Sequence, residues 1–234
     1  MLLQRDEKKA FFGHLEELRK RIIFSIISVA ALSALSYIYA EKILEVLAVH
    51  VKSLVFISPQ EAFLAYLKIA LLSGVILSAP VILFNAFKFI WIALNRREKG
   101  FFAVYLSIGT LLFAGGALFS YYVALPAAMR FLLGFTSDFL RPYISVSRYV
   151  SFSAFLILAF AVTFETPLVI VLLTRVGLLR AKILRKKRRY FIVLMFVIAA
   201  MLTPPDLVTQ VLLAIPLVLL YEVSILFARV AEKR

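Results

Sequence analysis

The chain has 234 residues, 63% of them hydrophobic and 17% charged, with a mean hydropathy of +0.98. That much apolar surface cannot be hidden inside a soluble domain, so the composition excludes a soluble class and requires an integral membrane protein. The formal charge of +14 does not point to nucleic acid, because the basic residues cluster in loops beside apolar spans, and the absence of cysteine excludes disulfides, thiolate chemistry and cysteine-ligated metals.

The first stretch, residues 1–21, is charged and amphipathic. At about 100° per residue, Phe11, Leu15, Leu18 and Ile22 stack into one apolar stripe, a pattern expected of a helix lying along a membrane surface before turning into it. His14, Glu17 and Arg21 share one flank of the stripe, and Glu16 and Arg19 occupy the other, so the adjacent carboxylates need not do the same job.

Six spans follow. Span one is Ile22 to Ala40; these 19 residues exceed a signal-peptide core and follow a heavily charged start, so they read as a retained transmembrane helix. Ile43 to Val51 has helical spacing and is expected as a short interfacial helix. Span two, about Ala62 to Leu94, is too long for an upright crossing and must tilt, bend at Pro80 or project, with Lys68 and Lys88 snorkelling at its ends. The loop Asn95 to Gly100 leads into span three, Phe101 to Leu125, whose Gly109, Ala114, Gly115 and Gly116 are small enough to admit a neighbouring helix.

Beyond Pro126 an outer loop is expected to about Tyr149, with Met129 to Phe135 helical. Ser147 is the expected N-cap of span four, Arg148 to Arg175. The basic block Arg180 to Arg189 comes next. Span five, Tyr190 to Leu202, and span six, Leu207 to Phe227, are separated by Thr203-Pro204-Pro205-Asp206, whose prolines forbid a continuous helix. These last two spans are expected to form a short, shallow hairpin.

Twenty Lys and Arg fall on the side of the termini and five on the other, so by the positive-inside rule both termini are expected in the cytoplasm. The fold class that results is all-α: a single six-helix transmembrane domain, with residues 1–21 as its cytoplasmic N-terminal segment.

The candidate sites are carboxylates. Glu17 and Glu98 stand on an otherwise positive cytoplasmic face, where two acids make sockets for guanidinium groups; an exposed pair is worth only about 0.2–1 kcal/mol, enough to select a ligand and not to hold it. The plain alternative for Glu17 is an i,i+4 ion pair with Arg21, and for Glu98 a balance of charge against Arg96, Arg97 and Lys99. Glu165 lies mid-span in Thr163-Phe164-Glu165-Thr166-Pro167, where an ionised carboxylate costs about 2.5–3.5 kcal/mol. It is either a protonated acid hydrogen-bonded inside the bundle or a polar patch facing a cavity or partner. Gln210 is a second intramembrane polar group. His14 and His50, the only histidines, are expected on opposite sides of the membrane, so no histidine triad or zinc site forms; with no Gly-rich phosphate loop, the chain reads as a binder that needs no cofactor or metal and is not an enzyme.

His14-Leu15-Glu16-Glu17-Leu18-Arg19-Lys20-Arg21, Ser78-Ala79-Pro80-Val81-Ile82-Leu83, Phe164-Glu165-Thr166-Pro167, Thr203-Pro204-Pro205-Asp206 and Ala214-Ile215-Pro216 occur in an order that resembles the TatC family, the polytopic subunits of the twin-arginine protein translocase. The resemblance implies a receptor for signal peptides bearing paired arginines. It would sit in a bacterial or archaeal cytoplasmic (inner) membrane and work with the single-span TatA and TatB to export folded proteins on the protonmotive force. By resemblance, the arginine-reading carboxylates fall on Glu17 and Glu98, the associated aromatic on Phe89, with His14 beside Glu17, and the intramembrane acid on Glu165. Asp206 and Gln210 match the family's polar residues of the final hairpin, which by resemblance lies near the docking place of a partner helix, and Thr203 beside them is a further candidate contact. The chain departs from the family at Phe89-Ile90-Trp91-Ile92, where a proline is usual, and at Ser147-Arg148, where an aspartate is common. The rival classes are a small-solute or ion secondary transporter coupled through Glu165, and an insertase or scaffold in which the cytoplasmic acids are dispensable.

Overall fold

The apolar run after Arg21 does not start a new helix. In the computed structural model, which describes residues 2–51, 53–91, 102–134, 142–175, 177–202 and 207–232, one helix, α1 (Leu2–Tyr37), carries the charged stretch and span one together. Its 36 residues extend about 54 Å. No Pro or capping residue interrupts Gly13 to Ile22, so the expected turn at the membrane surface is absent and the charged segment continues the axis of the span. The direction changes instead after Tyr37, where the chain bends by 82° into α2 (Ala40–Ala48), the short helix expected around Ile43.

The second span is α3 (Pro59–Trp91), which passes through Pro80 as a single helix. The third is longer than expected: α4 (Phe102–Phe119) runs through a π-helical turn at Ser120–Ala124 into α5 (Leu125–Leu133). Pro126 was expected to end it but stands in the first turn of α5, where its missing N–H costs nothing. The fourth span is α6 (Val146–Phe164) and α7 (Thr166–Arg175), broken at Glu165. Its N-cap is Ser145 and not Ser147: the Ser145 hydroxyl accepts from the Arg148 backbone N–H at 3.3 Å. After α8 (Ala181–Lys186) come α9 (Arg188–Leu202) and α10 (Leu207–Glu232). At 15 residues, about 22 Å, α9 is the short helix expected. At 26 residues α10 is not short, because the helical pattern carries on past Phe227.

α1 packs along α3, α3 along α4 and α6, and α4 along α6, around a core that includes Ile69, Leu125, Leu156 and Phe160. α10 packs on α7 and α9. Two glycines set the closest approaches. A Cβ at Gly116 would lie 2.7 Å from the Phe160 carbonyl oxygen, and one at Gly74 would lie 2.0 Å from the Ser33 hydroxyl, so α4 meets α6 and α3 meets α1 nearly backbone to backbone. Gly109 likewise abuts the Phe87 ring, whereas Gly115, expected in the same role, has no atom within 4 Å of the corresponding position.

The end of the bundle opposite the α1 start is tied down by its loops. Val55 and Ser145 form a parallel bridge, with Val55 N–H donating to the Ile144 carbonyl and Val146 N–H to that of Val55, both at 2.9 Å. Tyr149 and Tyr121 donate their hydroxyls to the carbonyls of Leu47 and Val46, at 2.6 and 2.7 Å, and so pin α2 onto α6 and the π turn.

Candidate functional site

Glu17 lies 16 residues into the register of α1, one turn before Arg21, and the helix brings the two side chains together. The Arg21 guanidinium donates to a Glu17 carboxylate oxygen. Arg21 is 13% exposed at its side chain and Glu17 38%, whereas the Glu16–Lys20 pair on the other flank, 2.9 Å apart, is 66% and 73% exposed. The two carboxylates therefore do different things: Glu16 is held in solvent, and Glu17 is turned toward the bundle with a guanidinium on it. The same face of α1 continues with Ser25, whose hydroxyl accepts from the Asn85 side-chain amide at 3.2 Å across to α3. Phe89, half-buried, lies in the last turns of that helix. Lys88 beside it places its ammonium 5.4 Å from the centre of the Phe84 ring.

Glu98 lies outside the described residues, as do Thr203 and Asp206, and of His14 only the helical backbone is described.

Glu165 is 8% exposed, and among the described residues neither carboxylate oxygen has a hydrogen-bond partner. Its position follows from the helix break. Pro167 cannot donate to Thr163, so α6 ends at Phe164 and the Glu165 N–H turns back to Val162 at 3.1 Å; Val169 N–H then donates to the Glu165 carbonyl and restarts the helix as α7. Gly116 packs on Ala161 and Phe164, and Gly109 on Leu168. The small residues of α4 thus draw α6 and α7 in on both sides of Glu165, and that approach is what buries it. Within the chain the carboxylate is enclosed by α4, α6 and α7.

Gln210 donates its side-chain amide to the Phe196 carbonyl at 3.1 Å and clasps α10 to α9 within the chain.

One polar cluster was not foreseen. Glu61, in the first turn of α3, accepts from the Ser145 hydroxyl, from Ile57 N–H at 2.7 Å and from Ser147 N–H at 3.3 Å. Lys68, two turns on, does not snorkel freely but donates to Ser147 and Ser151 at 2.6 and 2.8 Å. A carboxylate of α3 thus meets the start of α6. The Ser145/Ser147/Ser151 spacing was a visible signal, but its partners are some 80 residues away in sequence.

Among the described residues no group of His, Asp and Glu is placed to hold a metal ion.

The family profile described as "Sec-independent protein translocase protein (TatC)" matches residues 13–216. A TatC protein of Aquifex aeolicus is 42% identical over 229 residues, which cover 94% of this chain and 95% of that protein. One from Desulforapulum autotrophicum is 38% identical over 98% of this chain and 87% of its own length. A crystal structure described as "Twin Arginine Translocase Receptor- TatC" superposes with a TM-score of 0.86 at 42% identity, covering 94% of this chain and all of that one. With a match of this extent in profile, sequence and fold, the chain belongs to the TatC family and is a multi-pass inner-membrane component of the Sec-independent, twin-arginine protein translocase, a transport protein and not an enzyme.

Proposed function

We propose that within the translocase this chain is the subunit that reads the paired arginines of the signal peptide, with Glu17 and Glu98 as the two carboxylates and Phe89 and His14 beside them. Both termini then face the cytoplasm, as the distribution of Lys and Arg requires. The observation that carries this reading is the Glu17–Arg21 contact. It presents a half-exposed carboxylate already oriented to accept a guanidinium, on a helix that holds it in place, while its neighbour Glu16 is held by a lysine in solvent. A superposing protein described as a twin-arginine translocase receptor supports the same assignment.

Charge alone is too weak to retain a ligand. A partly shielded pair adds on the order of 1 kcal/mol, so the apolar part of the signal peptide must supply most of the affinity along the exposed faces of the spans. Leu15, Ile22, Ile23 and Ile26 on α1 are exposed and offer such a surface. The single-span TatA and TatB are the partners in this reading, with Gln210, Thr203, Asp206 and Glu165 near the partner helix and further copies of this chain in the same complex.

The experiment is binding of a twin-arginine peptide to the purified protein, with Glu17→Ala and Glu98→Ala variants and a Lys-Lys peptide as control. Weaker binding by both variants, and of the control peptide by the intact protein, is the expected result. Unchanged binding by the variants, together with equal binding of the Lys-Lys peptide, would overturn the assignment.

A further inference from the structure

A cleft of about 470 Å³ lies where α8 meets the end of α10, lined by Ala181, Lys182, Arg185, Lys186, Arg229 and Glu232. We propose that it binds the headgroup phosphate of an anionic phospholipid from the surrounding bilayer.

Basic residues in a loop beside a span are ordinarily explained by topology, which asks only for charge and needs no fixed shape. Here the shape is fixed. Ala181 and Leu184 on the inner face of α8 are buried against Tyr221, Ile225 and Ala228 of α10. The Tyr221 hydroxyl donates to the Leu184 carbonyl at 3.0 Å, and the Tyr221 ring is stacked on Phe191 with ring centres 4.7 Å apart. At the start of α9, Arg188 pairs with Glu222 at 2.5 Å. This packing leaves Lys182, Arg185 and Lys186, at i, i+3 and i+4, exposed on one face of α8, with Arg229 across from them.

Among the described residues, none of these four side chains has an ion pair. Glu232 is the one carboxylate in the cleft, leaving a clear excess of positive charge. Basic pockets between membrane helices at the surface of the bilayer are suited to phosphate-bearing headgroups. A lipid is favoured over a soluble anion because α10 exposes Leu226 one turn before Arg229 on the same face, with Val230 one turn on from Leu226, which gives the acyl chains an apolar wall beside the cations.

The test uses the full chain, stripped of lipid in detergent and titrated with equal amounts of phosphatidylglycerol and phosphatidylcholine while bound lipid is counted by native mass spectrometry. The protein is expected to retain phosphatidylglycerol preferentially. Combined Lys182→Gln, Arg185→Gln and Arg229→Gln should weaken that binding by roughly fivefold per side chain removed. Removing the same number of charges elsewhere, with Arg130→Gln, Lys187→Gln and Arg189→Gln, should leave the preference intact, and excess inorganic phosphate should not displace the lipid.

Equal retention of the two lipids, or equal loss in both sets of variants, would show that net charge alone is acting and would overturn the proposal. Displacement by phosphate would overturn the lipid as ligand in favour of a soluble anion. The three side chains are exposed, so folding should survive; if the combined variant does not fold, Arg185→Gln and Arg229→Gln tested singly must each show part of the effect or the proposal fails.

Discussion

Arg21 sits on the carboxylate of Glu17, one helical turn away on α1, so the residue proposed to receive a signal-peptide arginine already holds an arginine of its own chain. A ligand must compete with it. Such an i,i+4 pair is worth only about 0.3–0.5 kcal/mol, so the competition is easily won. Arg21→Gln should therefore tighten binding of a twin-arginine peptide about twofold, read by fluorescence anisotropy, while Glu17→Ala weakens it. Weaker binding by Arg21→Gln would mean that Arg21 helps to orient Glu17 and is not a competitor.

Glu165 predicts opposite effects on stability and on transport. Both of its oxygens are buried without a partner among the described residues, and an unsatisfied polar group costs about 1–3 kcal/mol. Glu165→Leu should raise the thermal unfolding temperature in detergent and at the same time impair export of a folded reporter. A lower unfolding temperature would show that the carboxyl is a structural asset in the folded chain.

The neighbouring glycines of α4 should behave differently. Gly116→Ala forces its methyl group against the Phe160 carbonyl and Ala161, and overpacking of this kind typically costs about 1–3 kcal/mol. Gly115→Ala meets nothing and should be neutral or slightly stabilising. Comparing the two variants by thermal unfolding separates contact from composition, since the substitution is identical and only the facing differs.

At the opposite end of the bundle, Glu61→Ala removes the acceptor shared by Ser145, Ser147 and Ile57. The expected outcome is faster amide hydrogen exchange at Val55 and Val146, the two donors of the bridge, with no change in the middle of α6. Exchange that stays slow at both amides would show that the bridge stands without the carboxylate.

How far the fold could be read from the sequence depended on the range of each interaction. Span positions, the short α9 and the break before Pro167 follow from runs of apolar residues and from proline chemistry, both of which are local. The corrections come where a distant residue decides. Ser145 and Ser147 are both able to cap α6, and the choice is made by Glu61 on another helix. Gly115 and Gly116 are indistinguishable in composition, and only the position of α6 says which one matters. Pro126 ends a helix in many contexts, but here the π turn before it gives the carbonyls an alternative and the helix goes on. In the candidate site, the divergence of Glu16 and Glu17 was legible from helical periodicity alone. The burial of Glu165 was not, because it depends on how closely α4 approaches.

The length of α1 has a mechanical consequence. Between Glu17 and Tyr37 the helix has no proline, glycine or break, and the distance is about 30 Å. A rod of that kind does not absorb a displacement at one end; it delivers it to the other. Its first joint is the 82° corner before α2, so a displacement carried along α1 is met there by α2 and the tyrosines that hold it.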